Sequence, residues 1–265
     1  MPAPESAAVE PTQYSHHYYD YLSGQSLQSA RRVAPVVIDL VRPQSVVDVG
    51  CGEGAWASVF AELGVPDVMG LDGAYIDPHR LLIPATRFQA LDLARPFELS
   101  RKFDLAVCLE VAEHLPESAA APLVKSLAAC APVVLFSAAI PGQGGVAHIN
   151  EQWPAYWAEQ FAAADFECFD VLRPRFWDAA DVNPWYQQNM MLFVRRDARA
   201  GLPGLKDLVP TTKPAAWVHP LVFASKLAAL GHQQTWAQRV SIMMALGLLW
   251  RAGVRRVRKM CGCKY

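Results

Sequence analysis

The residues best placed to do chemistry stand in the run SVVDVGCGEGAW, residues 45–56. An apolar stretch carrying Asp48 runs into Gly50, Gly52 and Gly54, with Cys51 inside the glycine turn. Glycines at this spacing let the backbone bend sharply and approach a ligand, and the helix expected to follow offers unpaired N–H groups. Taken alone, the turn serves a dinucleotide or a tight structural bend equally well. Asp72 narrows the choice. It closes the next apolar stretch 18 residues after Gly54 and precedes Gly73, a place where a carboxylate accepts hydrogen bonds from ribose hydroxyls. Asp92 with Leu93 follows a third stretch, and Leu109 and Glu110 end a fourth. Any one of these acids also reads as a helix cap. Their recurrence at successive strand ends points instead to one edge of the sheet, the ligand edge of open α/β folds.

A second group begins at the same Glu110 and continues through Glu113 and His114. Its plain reading is packing and pocket lining. A sharper one adds His148, from the loop after the fifth apolar stretch: two carboxylates and two imidazoles (Glu110, Glu113, His114 and His148) match the donors of a hard divalent cation such as Mg²⁺ or Mn²⁺. The loop itself, PGQGGVAHINEQWPAYW over residues 141–157, gathers glycines, His148, Asn150, Glu151, Trp153 and Trp157 in a short span. His148 reads as a hydrogen-bonded loop histidine or as a general base, a role imidazole suits because it ordinarily titrates near neutrality. His114 is the second catalytic candidate. Trp153, Trp157, Trp177, Trp185 and Tyr186, with Gln187, Gln188 and Asn189, point to an acceptor pocket, since flat apolar faces interleaved with amides suit a sugar or an aromatic molecule.

The elements that must position these residues follow from the hydrophobic pattern. An aromatic segment at Tyr14–Leu22 and apolar residues Val33, Val36, Val37 and Leu40 at helical spacing read as lead-in helices, one of them a cap. From Ser45, short apolar runs alternate with helical stretches: SVVDVG, DVMGLDG, RFQALDL, FDLAVCLE, PVVLFSAA, FECFDVL and MMLFVRR. Such alternation predicts an α/β domain, a mostly parallel sheet with helices on both faces. Residues 172–187 read as a long aromatic loop and 197–220, rich in Pro and Gly, as a linker or surface-hugging segment. Helical stretches are expected over about 221–231 and 235–259. The expected division is a disordered lead over 1–13, a domain over 14–196, and a linker with a basic C-terminal helical extension over 197–265.

These residues resemble the class I family of S-adenosylmethionine (SAM)-dependent methyltransferases over roughly residues 30 to 195. The resemblance implies a Rossmann-like seven-stranded sheet whose final strand is antiparallel. It also implies SAM held by Asp48, Gly50, Cys51, Gly52, Gly54, Asp72, Gly73, Asp92, Leu93, Leu109 and Glu110, with Asp72 on ribose and Asp92 on adenine. The Glu110, Glu113, His114 and His148 set is similar to that of metal-using O-methyltransferases acting on ubiquinone precursors and on the terminal 2′-hydroxyl of plant small RNAs. The run from HINEQWPAYW to WYQQN is similar to bacterial methyltransferases associated with surface-polysaccharide biosynthesis. The expected function is methyl transfer to a hydroxyl of a small molecule or glycan. Two rivals stay open: a nucleotide-dependent oxidoreductase on the same fold, and a non-catalytic SAM-binding partner protein. A short-chain dehydrogenase is disfavoured, because no Tyr is followed four residues later by Lys. A P-loop NTPase is disfavoured too, because no Gly-Lys-Ser/Thr follows the turn.

Composition bounds the rest. The chain has 265 residues, 52% of them hydrophobic, enough for one sizeable core and an appendage. No Asp or Glu occurs after Asp207, whereas nine Lys or Arg do, so the 24 basic residues leave 15 against 25 acidic ones before that point. An acidic body argues against nucleic acid as partner. Scattered cysteines and an N-terminus without a basic start and apolar run read as a cytoplasmic protein. Cys261 and Cys263 support a zinc site only weakly. The apolar run Ile242–Trp250, followed by arginines, is too short to span a bilayer; it reads as a packed helix or as a peripheral membrane contact through residues 236–265.

Overall fold

The computed structural model describes residues 16–231, with side chains from Gly24 onward. The lead over 1–13, the C-x-C pair and residues 236–265 lie outside the described residues. Seven strands form one sheet: β1 (Ser45–Val49), β2 (Asp67–Asp72), β3 (Phe88–Ala90), β4 (Leu105–Leu109), β5 (Val133–Ser137), β6 (Phe166–Phe169) and β7 (Met191–Arg195). Their spatial order is β3-β2-β1-β4-β5-β7-β6. Strands β1 to β5 are mutually parallel, and β7 runs antiparallel between β5 and β6. The order reverses between β1 and β4, which makes their carboxyl ends the topological switch point where open α/β sheets bind ligands.

Alternation along each strand sends its apolar residues to two faces. Val46, Leu105, Val107, Val133 and Leu135 enter one buried cluster, while Val47, Val49, Ala106, Cys108, Val134 and Phe136 enter the other. Helices α1 (His16–Val41), α2 (Ala55–Glu62), α5 (Arg173–Phe176) and α6 (Pro184–Asn189) cover the first face; α3 (Ala120–Cys130) and α4 (Pro154–Ala163) cover the second. The two expected lead-in helices are one continuous helix, α1. Its residues Ala30, Val33, Ala34, Val37 and Val41 are buried at steps of three and four, and Pro35 sits on the exposed side, where water can pair the carbonyl its missing N–H leaves behind. The four described cysteines are free and buried.

Two further expectations change, and a third, left open between a linker and a surface-hugging segment, takes the second form. The stretch expected to be an aromatic loop folds as α5 and α6, each with a proline in its first turn, where the ring presets the helical angle. Trp157 and Tyr186 belong to the core. Trp157 is fully buried with its ring 5.1 Å from that of Phe136, and Tyr186 packs edge-on to Trp56 and accepts its Nε1–H at 3.3 Å. Finally, the Pro-rich segment after residue 196 is strapped to the domain. Leu205 is fully buried, Thr211 N donates to Cys168 O at 2.7 Å, and the buried Arg173 binds Asp170 and the carbonyls of Gln188 and Ala215 while lying over Trp217. The first compact unit therefore runs through His219, and residues 220–265 make the second.

Trp157 Nε1 is buried without a hydrogen-bond partner, so the indole contributes shape alone. Trp157→Phe is expected to cost less than about 1.5 kcal/mol in urea unfolding, and Trp157→Ala about 3–5 kcal/mol. A large loss with phenylalanine would mean the indole N–H is bonded after all.

Candidate active site

The glycine turn is built by backbone requirements. Gly50, Gly52 and Gly54 have φ of 79°, 54° and 86°, the left-handed region that costs other residues energy. At Gly50 a Cβ would also overlap the side chain of Val111. Gly50 N and Cys51 N both donate to Leu71 O, at 2.7 and 3.1 Å, so the turn is tied to the end of β2. Cys51 is buried, its side chain turned toward Gly70, and burial pushes its thiol pKa up strongly; it lines the turn and offers no thiolate.

Two buried acids hold this turn. Asp48 faces the side of the sheet covered by α2 and accepts from Ala57 N at 3.2 Å. Burial pushes its pKa up to about 7, opposed by the Ala57 N–H and reinforced by the charge of Asp72. Asp72 takes Gly52 N at 2.7 Å on one oxygen, and Gly73 N at 2.6 Å with the Tyr75 hydroxyl at 2.5 Å on the other. Tyr75 folds back over Gly73, where a Cβ would overlap its ring. Nothing in the sequence spacing marked Tyr75, because its role needs the turn at 73 to be known.

Leu91 N donates to Asp72 O at 2.7 Å, which sets Asp92 on the same sheet edge as Asp72. Asp92 is exposed, accepts from Ala94 N at 3.0 Å and pairs with Arg95. Leu93 and Leu109 are buried core residues. Glu110, next after β4, adopts φ 55° and is gripped by amides: Asn189 Nδ2 at 3.1 Å and Gln143 Nε2 at 3.2 Å. Gln188 extends the network by donating to Gln143 Oε1 at 2.8 Å. Of the amides read from the sequence as acceptor contacts, Asn189 thus faces a carboxylate of the same chain, Gln188 donates to the amide oxygens of Gln143 and Asn189, and Gln187 bonds to Ala179 O.

The loop after β5 is pinned to the end of β4. Ile149 N and Asn150 N donate to Glu113 O at 2.8 and 3.1 Å, and Asn150 Nδ2 reaches Ala112 O. This brings the His148 and His114 rings to 4.8 Å between centroids. Glu151 bonds His148 Nδ1 at 3.0 Å and also accepts from Gly142 N and Gly144 N, so one carboxylate sets the ring and the glycine bend together. Burial first, then His148, lower the His114 pKa to about 4, against a hydrogen bond to Ala147 O; His114 is a neutral imidazole. Glu113 is wholly buried, accepts from Ala139 N at 3.2 Å with one oxygen, and leaves the other without a partner. Burial and then the Glu110 charge push its pKa well up. Ligand atoms of Glu113, His114 and His148 lie within 4.8 Å of one another. Glu110 is not in that group, its oxygens being taken by Asn189 and Gln143. The tryptophans do not gather: Trp153 is 41% exposed, Trp177 packs with Trp217 and His219, and Trp185 with Tyr186.

A sheet of this order, with a glycine turn after β1 and acids at the ends of β2 and β4, is the Rossmann-like fold of class I methyltransferases. Solved structures agree on the fold. DesVI of Streptomyces venezuelae has a TM-score of 0.53 at 16% identity, covering 69% of this chain and 100% of that one. SAM-bound CalS10, an amino pentose methyltransferase from Micromonospora echinaspora, has a TM-score of 0.52 at 19% identity over 71% and 100%. The "Methyltransferase domain" family model matches residues 16–180, and the chain belongs to that family. Its cofactor is SAM, the methyl donor of this class. A curated relative, Methyltransferase str2 of Strobilurus tenacellus, is 35% identical over 82 residues, 30% of either chain; this chain thus matches less than a third of that relative's length.

The raised pKa of Asp48 has a testable sign. Its folded pKa near 7 lies above the ordinary 3.8, so the fold prefers the protonated acid, and ligand-free stability falls as pH rises from about 4 to about 7. Asp48→Asn keeps an acceptor for Ala57 N without the charge. It is expected to match the wild type in urea unfolding at about pH 4 and to exceed it at about pH 8; equal curves at both would reject the buried charge.

Proposed function

We propose that this chain transfers the methyl group of SAM to a hydroxyl of a small molecule or glycan, with His148 as the general base. The observation that carries the reading is His148 itself: Glu151 engages Nδ1, which leaves Nε2 for a substrate proton, in a loop pinned to the end of β4. Gly50, Gly52, Gly54 and Cys51 would form the floor under the methionine portion, Asp48 would hold that floor through α2, Asp72 and Gly73 would meet the ribose, and Asp92 and Leu93 the adenine. Leu109 and Glu110 would wall the side nearest the sulfonium.

Methyl transfer is an in-line displacement. The acceptor oxygen forms a bond to the methyl carbon, the carbon–sulfur bond breaks, its electrons return to sulfur, and the hydroxyl proton passes to His148. Alignment of oxygen, carbon and sulfur supplies most of the rate; removing the proton adds roughly 10²- to 10⁴-fold. A hydroxyl acceptor accords with a putative O-methyltransferase from Nostoc punctiforme that shares the fold (TM-score 0.51, 13% identity, covering 72% of this chain and 64% of that one). A sugar acceptor accords with CalS10 and with KedS8, a sugar N-methyltransferase from Streptoalloteichus (TM-score 0.52, 19% identity, 74% and 99%). KedS8 keeps an amino group open as the alternative acceptor.

One observation favours a second role for the same histidine. The partnerless buried oxygen of Glu113 with the ring nitrogens of His114 and His148 makes a one-carboxylate, two-imidazole donor set, which suits Mn²⁺ better than the oxygen-seeking Mg²⁺. When bound, such a cation would supply Lewis-acid stabilisation of the acceptor oxygen, and His148 would then be a ligand and not the base.

His148→Ala is expected to lower turnover roughly 10²- to 10⁴-fold in a labelled-methyl assay while SAM still binds by calorimetry. If chelation with EDTA leaves the wild type active, the base reading stands. Loss on chelation that Mg²⁺ or Mn²⁺ restores, with an equal loss in Glu113→Gln, would replace it with the metal reading. Near-wild-type turnover of His148→Ala overturns both.

Tyr75 gives a separate check on the ribose contact. Its hydroxyl occupies Asp72 and must yield to a ligand hydroxyl there, so Tyr75→Phe is expected to tighten SAM binding roughly 2- to 10-fold. Weaker or unchanged binding would place the ribose elsewhere.

A further inference from the structure

Residues 220–231 are helical, and Phe223, Leu227 and Leu230 stand at i, i+4 and i+7, one stripe by helical geometry. All three are open to solvent, at 55%, 52% and 45%. A row of large apolar side chains on one face marks a surface meant for something other than water. The chain around it carries a single sign of charge. After Asp207 there is no acidic residue, while Lys213, Lys226, Arg239, Arg251, Arg255, Arg256, Arg258, Lys259 and Lys264 are all cationic, and Ile242–Trp250 is an unbroken apolar run. The rest of the chain has the opposite balance, 15 basic against 25 acidic residues.

We propose that residues 220–265 bind the surface of an anionic lipid bilayer, with Phe223, Leu227 and Leu230 entering the acyl boundary and the cations that follow meeting the head groups. The two halves of the observation select this occupant together. A nucleic acid would use the cations and leave the apolar stripe in water. A neutral protein groove would use the stripe and leave the charges idle. A second copy of the segment would bring like charges together. An anionic membrane uses both, by apolar burial and by electrostatic attraction. Attachment is at the surface: no described helix is long and apolar enough to cross a membrane, and the nine-residue run falls short of the roughly 20 residues a span needs. The inference does not rest on the methyl-transfer reading.

The full chain is mixed with vesicles of phosphatidylglycerol and phosphatidylcholine, or of phosphatidylcholine alone, and sedimented. The wild type is expected to sediment with the mixed vesicles at least about tenfold more strongly than with the neutral ones, and to lose that preference at high salt. Phe223→Glu combined with Leu227→Glu and Leu230→Glu, all at exposed positions, is expected to reduce vesicle binding about tenfold or more with thermal melting unchanged. Arg251→Gln with Arg255→Gln and Arg256→Gln is expected to abolish the preference for anionic vesicles. The proposal is overturned if the wild type shows no anionic preference, or if neither variant lowers it. It is also overturned if the stripe instead drives a concentration-dependent dimer without lipid in sedimentation velocity that the glutamates abolish.

Discussion

The carboxylate of Asp72 fastens the glycine turn after β1 to the end of β2. It takes Gly52 N on one oxygen and Gly73 N on the other, and Leu71 O just before it receives Gly50 N and Cys51 N. A turn of glycines has no side chains with which to hold itself, so its shape must come from hydrogen bonds supplied by a neighbour. Parallel pairing of β1 with β2, Val49 beside Leu71, is what places the donors and the acceptor within reach. Parallel pairing of β2 with β3 lays Leu91 N on Asp72 O and carries the edge on to β3.

The other side of the edge is governed by how buried carboxylates are satisfied. A charged oxygen without partners is costly in the interior, and the two glutamates after β4 resolve that cost differently. Burial raises the Glu110 pKa, and hydrogen bonds from Asn189, Ser137 and Gln143 oppose that rise. Glu113 has one backbone donor and a bare oxygen, and its pKa is pushed well up. Groups whose environments drive them this way cluster at functional sites more often than elsewhere. The amides that secure Glu110 come from a loop and from the helix before β7, so three distant parts of the chain meet at one acid. His219 N bonds to Gln188 Oε1 at 2.8 Å, which joins the strapped segment after β7 to the same network.

This division of labour suits methyl transfer. The donor carries its own activated leaving group, so a protein that holds donor and acceptor in line already supplies the larger part of catalysis. In the proposed reading the edge formed by β1 and β2 would serve the constant partner, SAM. The loop over residues 141–152, bent by glycines and tied down through Glu113 O and Glu151, would face the variable acceptor in that reading. Membership of the methyltransferase-domain family rests on residues 16–180.

Periodicity in the sequence determined the α/β class, the seven strands and the ligand edge, because strand alternation and glycine-acid spacing are local signals that tertiary packing here left intact. The positions of Asp48, Gly50, Gly52, Asp72 and Glu110 in or close after the strands were countable along the chain for the same reason. The partners of those acids were not. Tyr75, Gln143 and Asn189 act through side chains that fold back from turns or arrive from far along the sequence, and no spacing rule reports a contact between residues 110 and 189. The aromatic residues misled for a related reason. Trp157 and Tyr186 have the composition of a pocket wall, but which face of a helix meets the core is decided by how α4 and α6 dock on the sheet. Proline richness after residue 196 likewise reads as a linker or as a surface-hugging segment until Arg173, buried and holding three carbonyl or carboxylate partners, shows that tertiary hydrogen bonding binds the segment to the domain.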